Sequence, residues 1–479
     1  MSSALCLAAA DVRDLVEQAA RRSRELKRAI IVSHVVPLEG LAPLAAFASL
    51  GGSFSRRWYW STPGGAVELA GLGEARAIVA GGLSRFDDVR REWERLAADA
   101  VSGAAGGLAL DEAAAGPHIF GGFAFRPGRG EREDGTWSGF PDACFILPEL
   151  MVGRIHGRGW LTVNHSVEPD STVEHVSRRL CALVETASQV PAGRDVLTAC
   201  GPARLSIADS DPERWKESVL AVVESIKAGE LEKAVLARSL RVEAGAPLDP
   251  AEVVRFFEEA YPMCYAFAFQ LGERCFIGST PELLAEKRGP KVQSMALAGS
   301  APRGGTPAED DRIGRALLVD PKNRGEHAVV AEAVRTALES ICDEFFMPDE
   351  PELFKLPNVQ HLCTPASGTL RSPFNIIEIA RRLHPTPAVG GRPLARALQC
   401  IAEHEAIDRG WYAGPIGVVD KRGDGTFAVA IRSAVLSGGR ADLFAGCGIV
   451  EGSDPDVELH ESRLKLMPVL AGLERSVAW

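Results

Sequence analysis

The ten cysteines are scattered, as at Cys6, Cys144, Cys264 and Cys447, and none forms a CxxC pair. That spacing excludes a zinc ribbon and a disulfide framework, so the thiols are expected to be reduced and mostly buried. Basic residues are not in excess. The 53 lysines and arginines stand against 64 aspartates and glutamates, a formal net charge of −11. A nucleic-acid surface needs a basic face, so nucleic acid is not an expected partner. No apolar run approaches the roughly 18 residues that a membrane-spanning helix needs, so no membrane partner is expected. The short ALCLAAA segment has no basic residue before it and runs on into an amphipathic, charged stretch. It does not read as a secretory leader, and a cytoplasmic location is expected. GxGxxG is absent, which excludes the dinucleotide fingerprint. There is no internal repeat or low-complexity tract.

What is present is enough apolar material for a sizeable core, 46% of 479 residues, with an ordinary 24% of charged residues. Residues 10 to 27 read as a surface helix with Val12, Leu15, Val16 and Ala19 on one stripe. RRWYWSTPGG and HIFGGFAF read as strands that end in glycine-rich turns, and residues 126 to 137 as an exposed loop. A helix follows near 171 to 190, and 193 to 210 read as a connector. Beyond it, Ser210 or Asp211 caps a helix with Pro212 in its first turn and Trp215, Val219, Val222 and Ile226 on the buried stripe; Gly229 ends it. LEKAVLARSLRV is a strand. Helices are expected at 250–261, 326–345, 375–383 and 393–406, and strands at 263–271, 275–279, 291–297, 415–420, 427–436 and 441–446. Short turns such as DKRGDGTF join many of the strands, which favours a mixed sheet with helices outside. The division expected is a front portion, 1–204, that adds strands to the body of a core, 205–472.

Several residues could do chemistry. A strand ends in a Ser-Thr-Pro turn that delivers Glu282, and the next apolar run ends at ALAGS, with Ala298 before a glycine. Lysines are ordinarily solvated. Lys233, however, opens an apolar strand, and a partly desolvated lysine can act as a base beside Glu282 as the acid. Glu326, at a helix start, and Glu461 each adjoin a histidine and an apolar stripe, and Glu458 shares the helix face of Glu461. Converging carboxylates suit magnesium, which takes hard oxygen ligands, and do not suit zinc. Arg432 inside FAVAIRSAVL either pairs with a ligand carboxylate or faces water from an edge. Gly446 and Gly448 expose backbone N–H groups that could receive a carboxylate. His361 and His384 precede rigid turns, where a lone histidine is more often a satisfied core residue than a catalyst.

The ordered set KAVLAR, STPELL, LAGS, EH, HLCTP, HPTPA, DRGWYAGPIG, AIRSA, AGCGIV and ESRLKL resembles the chorismate-utilising enzymes over about residues 205 to 472. That family includes isochorismate synthases, salicylate synthases, anthranilate synthase component I and aminodeoxychorismate synthase. WYWS, AGLG at 70 to 73 and FGGFAF at 120 to 125 resemble isochorismate synthases of menaquinone pathways. The resemblance implies an α+β fold of two packed, mixed or antiparallel sheets with helices outside. It implies Lys233 as the base that activates water, Glu282 as the acid, and Mg²⁺ held by Glu326 and Glu461 with Glu458 close by. Tyr412, Arg432, Gly446, Gly448, Lys465 and His361 would hold the substrate, chorismate, with Ala298, Gly299 and Ser300 in the pocket wall. Aminodeoxychorismate synthase has a lysine where Ala298 stands; alanine removes that nucleophile and leaves room for water. No glutaminase subunit is then expected. Isochorismate is the implied product, with salicylate synthase as the alternative, and either a menaquinone or a siderophore route downstream. Gly325 stands where many relatives carry a histidine before the glutamate, and metal affinity is the property this departure would alter.

Overall fold

The computed structural model describes residues 2–37, 40–105, 116–128, 135–188, 190, 200–201, 205–209 and 211–478. Among these, strands form one 13-stranded sheet, one 10-stranded sheet and a small pairing of 200–201 with 477–478. Pairing is antiparallel except between Ile30–Pro37 and Val101–Ala104. This is the α+β architecture of two packed sheets expected above.

Alternating large side chains on the inner faces drive the packing. Trp58 of strand Arg56–Ser61 stacks on Phe120 of strand His118–Phe123 at 4.9 Å, one from each sheet. Phe269 stacks on Trp411 at 5.2 Å. Such pairs add about 0.5–1.5 kcal/mol each beyond the area they bury. Strand Arg56–Ser61 pairs with strand Tyr265–Leu271, and strand His118–Phe123 with strand Pro415–Asp420, so front-portion strands enter both sheets. Helices Pro250–Ala260 and Pro455–Glu474 cover the larger sheet, and helices Pro321–Glu339 and Ile376–Leu383 the smaller one.

Several expectations need correction. The 427–436 segment is two strands, Gly425–Val429 and Ser433–Ser437, in different sheets, and Arg432 lies in the crossing between them with φ 52°. The helix expected at 326–345 runs Pro321–Glu339. Asp320 caps it by accepting from Asn323 N, and 342–346 is a strand whose aromatic residues favour extended backbone. The strand expected to end at ALAGS continues to Pro302 through a bulge between Ala298 and Ser300. Within the expected connector, 205–209 is an edge strand on 240–244; residues 193–199, 202–204 and 210 lie outside the described residues. In the expected exposed loop, 129–134 lie outside the described residues, while Trp137 is buried and stacks on Phe444. Helices Arg85–Asp99 and Pro307–Val319 were not anticipated, because charged residues interrupt their apolar stripes.

Gly325 sits within helix Pro321–Glu339 with open space where a Cβ would lie. Gly325→Ala is therefore expected to stabilise the fold by about 0.5–1 kcal/mol, through the lower backbone entropy of the unfolded chain. A rise in the thermal midpoint checks this, and a fall would show that the residue is strained.

Candidate active site

Two chain crossings between the sheets build the floor of the site. Strand Arg274–Thr280 belongs to the larger sheet and strand Leu283–Arg288 to the smaller, so Pro281 and Glu282 span the gap. Arg432 occupies the second crossing. The two are tied together: Val429 N donates to Glu282 O at 3.0 Å, and Ser279 N to Arg432 O at 3.1 Å. Both charged side chains are thus held on buried backbone. Burial pushes the Glu282 carboxyl up to about 7, although the charges of Arg432, Lys233 and Lys465 pull it down.

Helix Pro321–Glu339 supplies the next wall. Asn323 Oδ1 in its first turn accepts from Ser300 N at 3.1 Å and so anchors the bulge at Gly299, whose φ is 78°. A Cβ on Gly299 would meet Asn323 at 3.2 Å. One turn on, Glu326 accepts from Lys233 Nζ at 2.9 Å. Lys233 is 1% exposed. The pair passes over Gly448, where a Cβ would fall 2.4 Å from Glu326 Oε1 and 2.9 Å from Lys233 Cε. Burial pushes Glu326 up, but the charge and hydrogen bond of Lys233 outweigh it and leave the carboxyl below its ordinary value.

Helix Pro455–Glu474 is started by Asp454, which accepts from Asp456 N and Val457 N. Its spacing puts Glu458, Glu461 and Lys465 on one face toward strand Arg440–Ile449. Lys465 Nζ lies 2.5 Å from Glu461 and donates to Gly446 O at 3.0 Å. Burial pulls Lys465 down, yet Glu461 holds it above its ordinary value. Glu458 accepts from Lys322 at 3.0 Å, and burial together with the Glu461 charge pushes its carboxyl up.

A narrow cavity of about 60 Å³ is lined by Glu282, Ala298, Gly299, Ser300, Glu326, His361, Tyr412, Arg432, Gly446, Gly448, Glu461 and Lys465. Tyr412 stacks on Phe444 at 5.4 Å, and burial pushes its hydroxyl up to about 12. His361 Nε2 is 3.5 Å from Arg432 Nη2, and Nδ1 is 3.0 Å from Ser300 Oγ. A guanidinium only donates, so Nε2 accepts and Nδ1 carries the proton. Burial and then the Arg432 charge pull this imidazole well below its ordinary value, so it is neutral. Two expected members do not line the cavity. Lys233 stands behind Glu326, and Glu458 is turned to Lys322. His384 is elsewhere, accepted into the core with Nε2 at 3.0 Å from Phe125 O. Val235, Leu297, Ala388, Val389 and Ile431 were missed as lining residues, since nothing marks one apolar residue among many. Lys322 was also missed, although its i, i+4 spacing to Glu326 was a usable signal.

Among the described residues, no three histidine, cysteine, aspartate or glutamate side chains converge closely enough to hold an ion as placed. Each carboxylate carries a lysine instead. The donor chemistry still fits magnesium: Glu326 and Glu461 present carboxylate oxygens to one cavity, and the upward push of Glu461 on Glu458 marks negative charge that a hard cation would relieve.

The family description "Chorismate binding enzyme" matches residues 15–474. The chain is 35% identical over 464 residues to isochorismate synthase MenF of Bacillus subtilis, covering 96% of this chain and 97% of that protein. It is 36% identical over 462 residues to the salicylate biosynthesis isochorismate synthase of Pseudomonas aeruginosa, covering 95% and 92%. The solved structure of the menaquinone-specific isochorismate synthase MenF of Escherichia coli superposes with a TM-score of 0.75 at 25% identity, covering 96% of this chain and 99% of that one. With this coverage, and with the ordered motifs gathered around one cavity, the chain belongs to the chorismate binding enzyme family.

Proposed function

We infer that this chain is an isochorismate synthase, an isomerase that converts chorismate to isochorismate at the head of a menaquinone route. The observation that carries the reading is the cavity wall: an acid, Glu282, and cations, Arg432 and Lys465, surround a space in which Ala298 offers no amine. Water is then the nucleophile, and the enzyme acts alone in the cytoplasm without a glutaminase. The core proposed for catalysis is 205–472, with 1–204 adding strands to the same body.

Lys233, as the free amine left once its ammonium has given a proton to solvent, takes a proton from the attacking water as the water oxygen bonds to ring C2. Both ring double bonds shift, the C4–O bond breaks, and Glu282 protonates the departing hydroxyl as water. One water enters and one leaves, so atoms and charge balance, and the reverse reaction uses the same two groups with their roles exchanged. Arg432 and Tyr412, with the backbone at Gly446 and Gly448, hold the enolpyruvyl carboxylate, and the Nε2 lone pair of His361 keeps Arg432 turned into the cavity. Glu326 and Glu461, with Glu458 behind them, would hold Mg²⁺, which would neutralise the ring carboxylate. Charge supports this: on the two helices the three carboxylates of Glu326, Glu458 and Glu461 outnumber the ammonium groups of Lys322 and Lys465, so a dianion needs a divalent partner.

Incubation with chorismate and Mg²⁺, followed by separation of the products, tests the reading. Isochorismate approaching a chorismate–isochorismate equilibrium is expected, lost with EDTA and restored by Mg²⁺. Salicylate with pyruvate would mark a lyase, and absence of turnover would overturn the assignment.

A further inference from the structure

Strand Lys233–Ala244 has a gap along one edge. Residues 233–234 pair there with 391–392, and 240–244 with 205–209. Between them, among the described residues, no strand lies beside 235–239. Two side chains fill the gap. Arg409 Nη2 donates to Val235 O at 2.7 Å, and Glu405 Oε2 accepts from Ala237 N at 2.8 Å. They thus supply the donor and the acceptor that a neighbouring strand would otherwise present. Arg409 and Glu405 are bound to each other by two hydrogen bonds, of 2.8 and 2.6 Å, and their side chains are 3% and 1% exposed. Arg409 Nη1 also donates to Val389 O at 2.8 Å, and the guanidinium lies 4.2 Å from the centre of the Phe125 ring. Val235 and Val389 both line the cavity, and Lys233 is two residues from Val235.

We propose that the Arg409–Glu405 pair is a positioning element for catalysis, a charged substitute for a missing strand that fixes the segment carrying Lys233 against the cavity wall. A pair of hydrocarbon side chains of the same volume would fill the space but would leave Val235 O and Ala237 N buried without partners, at a cost of about 1–3 kcal/mol each. A single guanidinium instead holds two backbone segments and one carboxylate at fixed distances, which one ammonium cannot do. The proposal rests on the reading of Lys233 as the base.

Arg409→Lys keeps the charge but not the fork. Glu405→Gln keeps an acceptor for Ala237 N but loses the second oxygen that faces Arg409. In each folded variant kcat is expected to fall by about tenfold or more, because small displacements of a reacting group are costly. KM should stay within about threefold, since Arg432 and Lys465 stand on other segments, and hydrogen exchange should speed up in peptides covering 233–239. A folded variant with parental kcat, or one that raises KM alone, overturns the proposal. So does failure of both variants to fold, which would make the pair a folding element only. The Lys233 variant is assayed alongside: if it turns over normally, the base reading fails, whereas a crippled Lys233 variant beside fully active Arg409 and Glu405 variants sinks the positioning role alone.

Discussion

Lys233→Ala is expected to lower kcat by about 10²–10⁴, the range that a positioned general base contributes. The ammonium group is buried at the start of its strand and reaches the site only through Glu326, at 2.9 Å. Removing it leaves Glu326 under the weaker influence of Lys465 and Lys322, whose charges also favour the carboxylate. Breaking a fully buried pair costs about 3–5 kcal/mol. The Glu326 side chain is 16% exposed, so water takes up part of the lost interaction and the fold should survive. The deletion removes the volume of a butylammonium side chain beside Glu326, which is the size of a small primary amine. Added methylamine or ethylamine should therefore restore turnover in proportion to its concentration, while leaving the parent enzyme unchanged. A folded alanine variant that turns over chorismate within a few-fold of the parent would remove Lys233 from the mechanism.

The helix Pro212–Lys227 was legible because every cue to it is local: Asp211 caps it, Pro212 opens it, and one stripe is buried. The charged and polar members of the cavity were legible for a similar reason, since each sits in a short contiguous motif. What could not be read is where the chain changes sheets. FAVAIRSAVL alternates as one strand through Arg432, and only the packing of two sheets divides it. Arg432 was thus rightly singled out for its charge but wrongly placed in mid-strand. The same limit hid the relation of Lys233 to the cavity: an apolar strand promised burial, but that Glu326 would stand between the ammonium and the open space depends on a helix 93 residues away. Glu405 and Arg409 show it most plainly. Their i, i+4 spacing reads as an ordinary helix-end ion pair, and their role follows from a gap in a distant strand.

Glu282→Gln should separate catalysis from stability. The carboxyl must be protonated to deliver a proton to the departing oxygen, and burial holds it at about 7. In the free parent enzyme kcat/KM should therefore decline as pH rises through that region, while the variant, with no proton to give, loses about 10²–10⁴ in kcat and shows no such limb. Stability should move the other way. Below pH 4.5 both the folded and the unfolded chain carry the proton, and the group makes no difference. Between 4.5 and about 7 the unfolded chain releases it while the folded one retains it, so the parent loses stability as pH rises. Above that range the loss is complete, about 3 kcal/mol at 1.36 kcal/mol per unit. The substituted amide does not titrate, so at pH 8 the variant should unfold at a higher temperature than the parent, and near pH 4.5 the two should converge. Thermal melts at both pH values with a parallel product assay decide it. A variant that loses activity without gaining stability at pH 8 would show that burial does not hold the Glu282 carboxyl above its ordinary value, and the proton for the leaving oxygen would then have to come from another group.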